Sequence, residues 1–285
     1  MDGIILINKE KDWTSQDVCA KAKHILKTKK VGHTGTLDPF ATGLLVLTIG
    51  EGTKISQLIE SLNKSYLAVL KLGEKTSTGD LNGEIIKEEK VPRLDEQKIK
   101  TLFKNMLGKQ KQIPPMTSAI KVKGVPLYRL AHQGIEIERK AREIEIFDLR
   151  LMNFDERTII FTADVSKGTY LRTLGETIAE KLGTVGHLSE LERTRVGRYL
   201  NKNSTKIGEI NAEKVIPLNE ALFFLPLLKV DFETEKKVKN GMSINLPSEE
   251  KIVVLQNYQN QVLAIYQKNE KGMYNSLRGF NHGND

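Results

Sequence analysis

The run Gly32-His-Thr-Gly-Thr-Leu-Asp-Pro-Phe-Ala-Thr-Gly-Leu-Leu45 decides how the rest of the chain is read. It holds three glycines, one proline and several small polar residues, a composition that predicts a structured loop. Asp38 stands inside it, directly before Pro39. A residue that precedes proline is held out of the helical region, and nearby glycines let a backbone or a ligand approach closely. A carboxylate fixed in this way can act as nucleophile or base. Taken alone, an Asp-Pro step in a loop is more often a plain turn.

Working outward, the apolar run Leu44–Leu47 that follows predicts a buried strand, and Gly3–Asn8 predicts another. Between them Thr14-Ser-Gln-Asp17 reads as a capping box, with Val18, Ala22, Ile25 and Leu26 at helical spacing behind it. A short helix is expected around Lys54–Leu62 and a strand at Tyr66–Leu72. The spacing of Ile99, Leu102, Phe103, Met106 and Leu107 predicts a helix over Asp95–Leu107, closed by Gly108. Strands follow at Glu143–Phe154 and Thr158–Val165, then a helix over Leu171–Leu182 stopped by Gly183. Asn211–Phe224 reads as partly helical, and Ile252–Leu255 and Val262–Tyr266 as short strands. The expectation is a mixed α+β body followed by a small β-rich tail.

The 285 residues carry a net charge of +8. From Asp231 onward seven acidic and seven basic residues cancel, so the whole surplus lies in residues 1–230. Such a balance suits a polyanionic partner. The single cysteine, Cys19, excludes an intrachain disulfide and a multi-cysteine zinc site, and points to a reducing, cytoplasmic home. The opening MDGIILINKEKDW has no apolar signal core, and no run of about 18 apolar residues suggests a membrane span. There is no P-loop sequence, no dinucleotide fingerprint after a strand and no metal-ligand spacing among the five scattered histidines.

The Asp38 run closely resembles the signature of the TruB family of tRNA pseudouridine synthases, bacterial type. Other stretches resemble the family's motifs in the expected order. They are Asp2–Lys9 with Asp12-Trp-Thr-Ser15, Lys64-Ser-Tyr66, Gly73–Gly83, Pro114–Lys121 with Gly124 and Tyr128, Gly168–Leu174 and Leu191–Gly197. The resemblance implies a pseudouridine synthase fold: a mixed, mainly antiparallel central sheet flanked by helices. It implies a catalytic domain over 1–227 and a PUA-like RNA-binding domain over 228–285.

The resemblance further implies that uridine 55 in the T-loop of tRNA is isomerised to pseudouridine on a flipped-out base. Asp38 would attack either C6 of the base or C1′ of the ribose. Tyr66 would stack on the base, Tyr170 would touch it or move a proton from C5, and Arg172 would pair with Asp38 and keep it ionised. Leu191 would wall the pocket, and His33 would help fill the space left by the nucleotide. Lys64, Thr36 and Gly32 would complete substrate binding. No cofactor and no metal are implied, the partner is the T-arm stem-loop, and a monomer is expected. Lys21, Lys23, Lys29 and Lys30 are candidates for phosphate contacts, as is a second cluster of Arg193, Arg195, Arg198 and Lys202.

The chain departs from the family pattern at several points. Glu10 stands in place of a usual Pro, Asp12 of a Gly, Thr117 of a Tyr and His132 of an Arg. Lys140-Ala141 replaces a Pro-containing step before Arg142. These changes are expected to touch packing and RNA contacts more than the chemistry at Asp38. The archaeal and eukaryotic relative that works with guide RNA, and a non-catalytic tRNA-binding or folding module, are the alternative readings.

Overall fold

The structure is a computed structural model that describes residues 1–118, 120–122 and 124–281. The side chains of Lys121, Pro126, Tyr128 and His132 fall outside that description. Expectations resting on Tyr128, on His132 or on the last four residues of the tail, 282–285, therefore lie outside the described residues.

Residues Gly3–Lys9 and Thr42–Ile49 are strands that pair antiparallel at the heart of a ten-stranded sheet. Their apolar residues alternate between two cores. Ile5, Ile7, Leu45, Leu47 and Ile49 point to one face, and Ile4, Leu6, Leu44 and Val46 to the other. A strand buried on both faces reads as an unbroken apolar run rather than an alternating one, which is why both segments stand out in the sequence. The main path of the sheet runs Ile216–Pro217, Gly3–Lys9, Thr42–Ile49, Gly186–Val196, Lys64–Leu72, Thr158–Val165, Arg142–Phe154, Gly108–Gln112. Among the described strands of this sheet one pairing is parallel: Thr42–Ile49 against Gly186–Val196.

The helices Ser15–Ile25, Glu96–Asn105 and Leu171–Leu182 cover the first face. The capping box is reciprocal: Thr14 Oγ1 accepts from the Asp17 amide, and Asp17 accepts from the Thr14 amide, both at 3.1 Å. The helix Leu171–Leu182 buries Leu171, Leu174, Ile178, Ala179 and Leu182, and ends on Gly183 in the left-handed region. No helix among the described residues is long and apolar enough to cross a membrane.

The tail forms a four-stranded sheet ordered Leu227–Lys229, Ile252–Gln256, Val262–Lys268, Tyr274–Gly279. One face packs its own core, with Val253, Leu255, Tyr266 and Tyr274 among its members. The other face sets Val254, Val262, Ile265 and Phe280 against Ile4, Leu6, Leu44, Val46 and Ile55 of the body. Sheet packs on sheet there, and these apolar residues are buried in one shared cluster.

Several elements escape sequence reading for physical reasons. The strand Gly186–Val196 is central, yet two irregularities of register break its alternation. The edge strand Gly108–Gln112, GKQKQ, has no apolar residue and is ordered by its neighbour Arg142–Phe154. Val31–His33, expected within the loop, is a short strand on Thr42–Ile49. The helix Phe232–Lys239 buries only Val238 and carries almost no apolar period. Asn211–Phe224, expected to be partly helical, holds a 3-10 turn at Ala212–Lys214 and an α-helical turn at Leu218–Ala221, with the edge strand Ile216–Pro217 between them.

Glu51 fastens the tail to the body. Its side chain is 9% exposed and pairs with Lys30 at 3.0 Å and with Lys54. It also accepts the backbone N–H of Asn281 at 3.1 Å, while Lys54 donates to the Gly279 carbonyl at 2.7 Å. Burial pushes this carboxyl up, but hydrogen bonds from Lys54, Asn281 and Lys30 outweigh it and hold it down at about 2. A depressed carboxylate stabilises the fold above its unfolded value of 4.5, and that contribution fades as pH falls through about 2. Glu51→Gln is expected to lower the unfolding free energy at neutral pH by on the order of 1–3 kcal/mol. The gap to the parent should narrow in denaturant titrations below the unfolded value of 4.5; a gap independent of pH would refute the assignment.

Candidate active site

Asp38 sits in the turn between Val31–His33 and Thr42–Ile49, and the turn is anchored from below. Leu37, Phe40 and Ala41 are buried in the core. The Leu37 amide donates to Ser15 Oγ at 2.9 Å, and Ser15 Oγ returns a hydrogen bond to the Leu37 carbonyl at 3.2 Å. The Pro39 carbonyl accepts from the Asp12 amide at 2.8 Å and from Lys9 Nζ at 3.1 Å. Lys9 is 1% exposed and also donates to the carbonyls of Glu10 and Trp13. Its ammonium is held down to about 8, chiefly by burial, with Asp38 and Asp12 pulling upward.

Arg193 secures the other side of the turn, donating from Nε to the Leu44 carbonyl at 2.7 Å and from Nη2 to the Gly35 carbonyl at 3.1 Å. Gly43 lets the parallel strand come close: a Cβ there would lie 2.5 Å from the Arg193 carbonyl oxygen, and its φ of +92° is one that side chains resist.

Arg172 reaches this turn from the first turn of Leu171–Leu182. Nε meets Asp38 Oδ2 at 2.9 Å and Nη2 meets Oδ1 at 3.2 Å, a side-on pair that uses both carboxylate oxygens. The Arg172 side chain is 4% exposed and that of Asp38 31%, so the carboxylate is the open end of the pair. Asp80 is a second acid beside the same guanidinium, 3.6 Å from Nη1, and is itself fixed by Thr78 Oγ1 at 2.8 Å and the Asn82 amide at 3.0 Å. Burial pushes the Asp38 carboxyl above its ordinary value; Arg172 and Lys9 pull it down, and Asp80 pushes it further up. The pairing of Arg172 with Asp38 is present, and its pull toward the ionised carboxylate is opposed by burial.

The other residues singled out from the sequence are placed as follows. Tyr170 is the residue before the helix Leu171–Leu182, half-buried, with a phenol raised by burial and within the fields of Arg172 and Asp38. Tyr66 and Leu191 lie on adjacent strands, opposite Arg193 and Ala68 respectively, and are buried in the same core as Leu37 and Leu171. His33 ends its short strand opposite Leu47, with a buried Nδ1 that has no hydrogen-bond partner among the described residues. Thr36 is exposed on the turn.

Gly32 and Lys64 face elsewhere. Gly32 pairs with Thr48, whose hydroxyl donates to its carbonyl at 3.3 Å. The Lys64 ammonium is turned onto the carbonyls of Glu60 and, at 2.7 Å, Leu62. Of the phosphate candidates, Arg193 is buried and Arg195 is engaged with Asp164 and Ser65, whereas Arg198 and Lys202 are exposed.

Sequence reading placed none of four residues at the Asp38 site that the structure brings there: Lys9, Asp80, Gln112 and Thr117. Asp80 lay inside a quoted motif, and its acidity was the available signal. Gln112 clamps the backbone of Tyr170 with both amide atoms, accepting from its N–H at 2.8 Å and donating to its carbonyl at 3.1 Å. Thr117, expected to bear on packing and RNA contacts more than on Asp38, instead touches Arg172 with its hydroxyl and, at 2.9 Å, with its carbonyl. Asp12 adopts a φ of +68°, the region in which glycine is easiest and Asp among the better-tolerated alternatives.

A family model described as TruB family pseudouridylate synthase, N terminal domain, matches residues 23–171. The tRNA pseudouridine synthase B of Hydrogenovibrio crunogenus is 41% identical over 257 residues, covering 89% of this chain and 85% of that protein. The protein of the same name from Geobacillus thermodenitrificans is 40% identical over 263 residues, covering 87% of each. Among solved structures, a chain of an H/ACA ribonucleoprotein bound to a substrate RNA containing 2′-deoxyuridine superposes with a TM-score of 0.75 at 21% identity, over 98% of this chain and 85% of that one. A chain of a Cbf5-Nop10-Gar1 complex gives 0.75 at 22% identity, over 98% and 84%. At such identities these structures speak to the fold.

The two acids on one guanidinium make a stability prediction. Removing the buried cation leaves Asp38 and Asp80 facing each other, so Arg172→Met should cost about 3–5 kcal/mol at neutral pH. Adding Asp80→Asn should restore part of it, a coupling of about 0.5–3 kcal/mol in a double-mutant cycle read by urea unfolding. Strictly additive losses would show that Asp80 and Arg172 do not interact.

Proposed function

The chain belongs to the TruB family of pseudouridylate synthases, and from that premise we propose that it isomerises uridine 55 in the T-loop of tRNA to pseudouridine, with Asp38 as nucleophile. The observation that carries this reading is the Asp38 carboxylate, gripped side-on by buried Arg172 and left open on its other side. A nucleophilic carboxylate must be ionised and immobile; the pair supplies the counter-charge, and the anchored turn supplies the immobility.

In this reading Asp38 attacks C6 of the uracil or C1′ of the ribose. The glycosidic bond breaks, the uracil rotates, C5 bonds to C1′, the bond between Asp38 and the attacked carbon breaks to free the carboxylate, and the C5 proton is exchanged for one on N1, with Tyr170 touching the base or relaying that proton. Substrate and product have the same atoms, so the reaction balances without a co-reactant. The target base is stacked in folded RNA, and drawing it out costs a few kcal/mol that pocket contacts offset. Tyr66 stacks on the extruded base, Leu191 walls the pocket, His33 helps fill the space the nucleotide leaves, and Thr36 takes part in substrate binding. Lys64 and Gly32 act by shaping their strands, since neither polar group is free to meet the nucleotide.

Residues 1–227 form the catalytic domain and 228–285 a PUA-like RNA-binding domain. The surplus of positive charge in residues 1–230 grips phosphates. The enzyme acts as a monomer on the T-arm stem-loop without guide RNA, in a cytoplasm where Cys19 stays reduced.

Asp38→Asn is expected to form no pseudouridine above background while its affinity for unmodified tRNA stays within about tenfold of the parent, because the change removes a nucleophile and little contact area. Mapping pseudouridine by position after incubation with unmodified tRNA reads both the activity and the site. Turnover by the variant, or a strict need for guide RNA or added proteins, would overturn the reading. Asp38 works ionised and its carboxyl is raised, so the parent's kcat/KM should fall with falling pH along a limb lying above the ordinary value of 3.8.

A further inference from the structure

A guanidinium presents five N–H donors in a rigid plane, and Arg172 finds an acceptor for each. Nε and one N–H of Nη2 go to the two oxygens of Asp38 at 2.9 and 3.2 Å. Nη1 donates to the Thr78 carbonyl at 2.9 Å. The remaining two contacts belong to one residue: Nη2 donates to the Thr117 carbonyl at 2.9 Å, and Nη1 to the Thr117 hydroxyl. Thr117 therefore forks onto the end-on edge of the guanidinium, while Asp38 holds its side-on edge.

The segment that delivers Thr117 is tied to the same helix start as Arg172. Gln112, five residues earlier, bonds the backbone N–H and carbonyl of Tyr170, two residues before Arg172. The polypeptide between Gln112 and Thr117 thus spans a short distance from one fixed point to another. Threonine is also stiff at χ1, so its hydroxyl is held where the guanidinium needs an acceptor.

We infer that Thr117 is a positioning residue for the Asp38 chemistry: its hydroxyl fixes the rotation of the Arg172 guanidinium so that the Nε–Nη2 edge stays on the Asp38 carboxylate. The inference rests on Asp38 being the nucleophile. A Thr117 carbonyl is present whatever the side chain, so substitution isolates the hydroxyl. In Thr117→Val the branching is kept and the acceptor is lost, leaving one buried N–H of Arg172 unpartnered.

The charged and titratable groups that act on Asp38 are Arg172 and Lys9, which favour its ionised form, and Asp80, which opposes it; Tyr170 faces the same cleft. If Arg172 tilts, Asp38 loses counter-charge and takes up its proton at higher pH.

The test uses the full chain with Thr117→Val, Thr117→Ala and Thr117→Ser, a T-arm stem-loop RNA and a pseudouridine-forming assay across pH. The Val and Ala variants should lose about tenfold to a hundredfold in kcat, the factor carried by a hydrogen bond to a charged group. Their KM should stay within about threefold, and the acid limb of kcat should move to higher pH. Thr117→Ser, which keeps the acceptor, should return to within about threefold of the parent. Carbon-13 NMR of the Asp38 carboxyl, which needs no turnover, should show its titration moved upward in Val and Ala and restored in Ser.

Parental kcat in Val and Ala, a loss confined to KM, failure of Ser to restore, an unmoved Asp38 titration, or unfolding of both Val and Ala would each overturn the inference. A parent chain that makes no pseudouridine would count against Asp38 as nucleophile, and the NMR titration would still decide whether Thr117 orients Arg172.

Discussion

A cation buried at the first turn of a helix is opposed twice: burial strips its hydration, and the positive end of the helix dipole repels it. Arg172 is tolerated there because Asp38 and Asp80 bring two carboxylates to the same helix start, where negative charge is favoured. The arrangement is mutual. Without Arg172 the two acids would face each other in a partly dry cleft, and without the acids the guanidinium would lose both of its ion pairs among the described residues. Three distant stretches of chain, around residues 38, 80 and 172, are therefore bound into one place by a single buried charge, and Thr117 brings a fourth.

That charge needs a rigid base. The strands Gly3–Lys9 and Thr42–Ile49 are buried on both faces, so neither can slip in register without exposing a core. The Asp38 turn enters the sheet where Thr42–Ile49 runs parallel to Gly186–Val196, and Gly43 permits the close approach that Arg193 uses to hold Gly35 and Leu44. Lys9, spent on three backbone carbonyls, closes the other side. These cations behave as structural ties rather than as surface charge.

This changes the meaning of the net charge. Lys9, Lys64, Arg172 and Arg193 are all buried, while the buried acids among the described residues are Glu51 and Asp80. Part of the basic surplus counted from the sequence thus serves the interior. Exposed cations include Lys21, Lys29, Arg198 and Lys202. The tail, neutral overall, is joined to the body by an apolar face and by the Glu51 cluster.

Local chemistry made much of the molecule legible in advance. The apolar runs at Gly3–Asn8 and Leu44–Leu47, the capping box at Thr14–Asp17, the helix Leu171–Leu182 with its Gly183 stop and the turn around Asp38 all follow from short-range rules, and the motif resemblance pointed to the family. What the sequence could not disclose depends on partners far along the chain. The strand Gly186–Val196 exists because Lys64–Leu72 and Thr42–Ile49 accept its backbone, not because its own alternation is clean. Arg193 and Arg195 look alike in sequence, yet one is buried and the other pairs with Asp164 at the surface.

Gln112 carries no local signal and Thr117 only its departure from a usual Tyr; the folded chain is what sets them against Tyr170 and Arg172. The sequence by itself, through the resemblance of its motifs, singled out the candidate site residues. The tertiary structure decided their ionisation, their orientation and their anchors, because burial, counter-charge and hydrogen-bond partners are properties of the space around a side chain rather than of its neighbours in the chain.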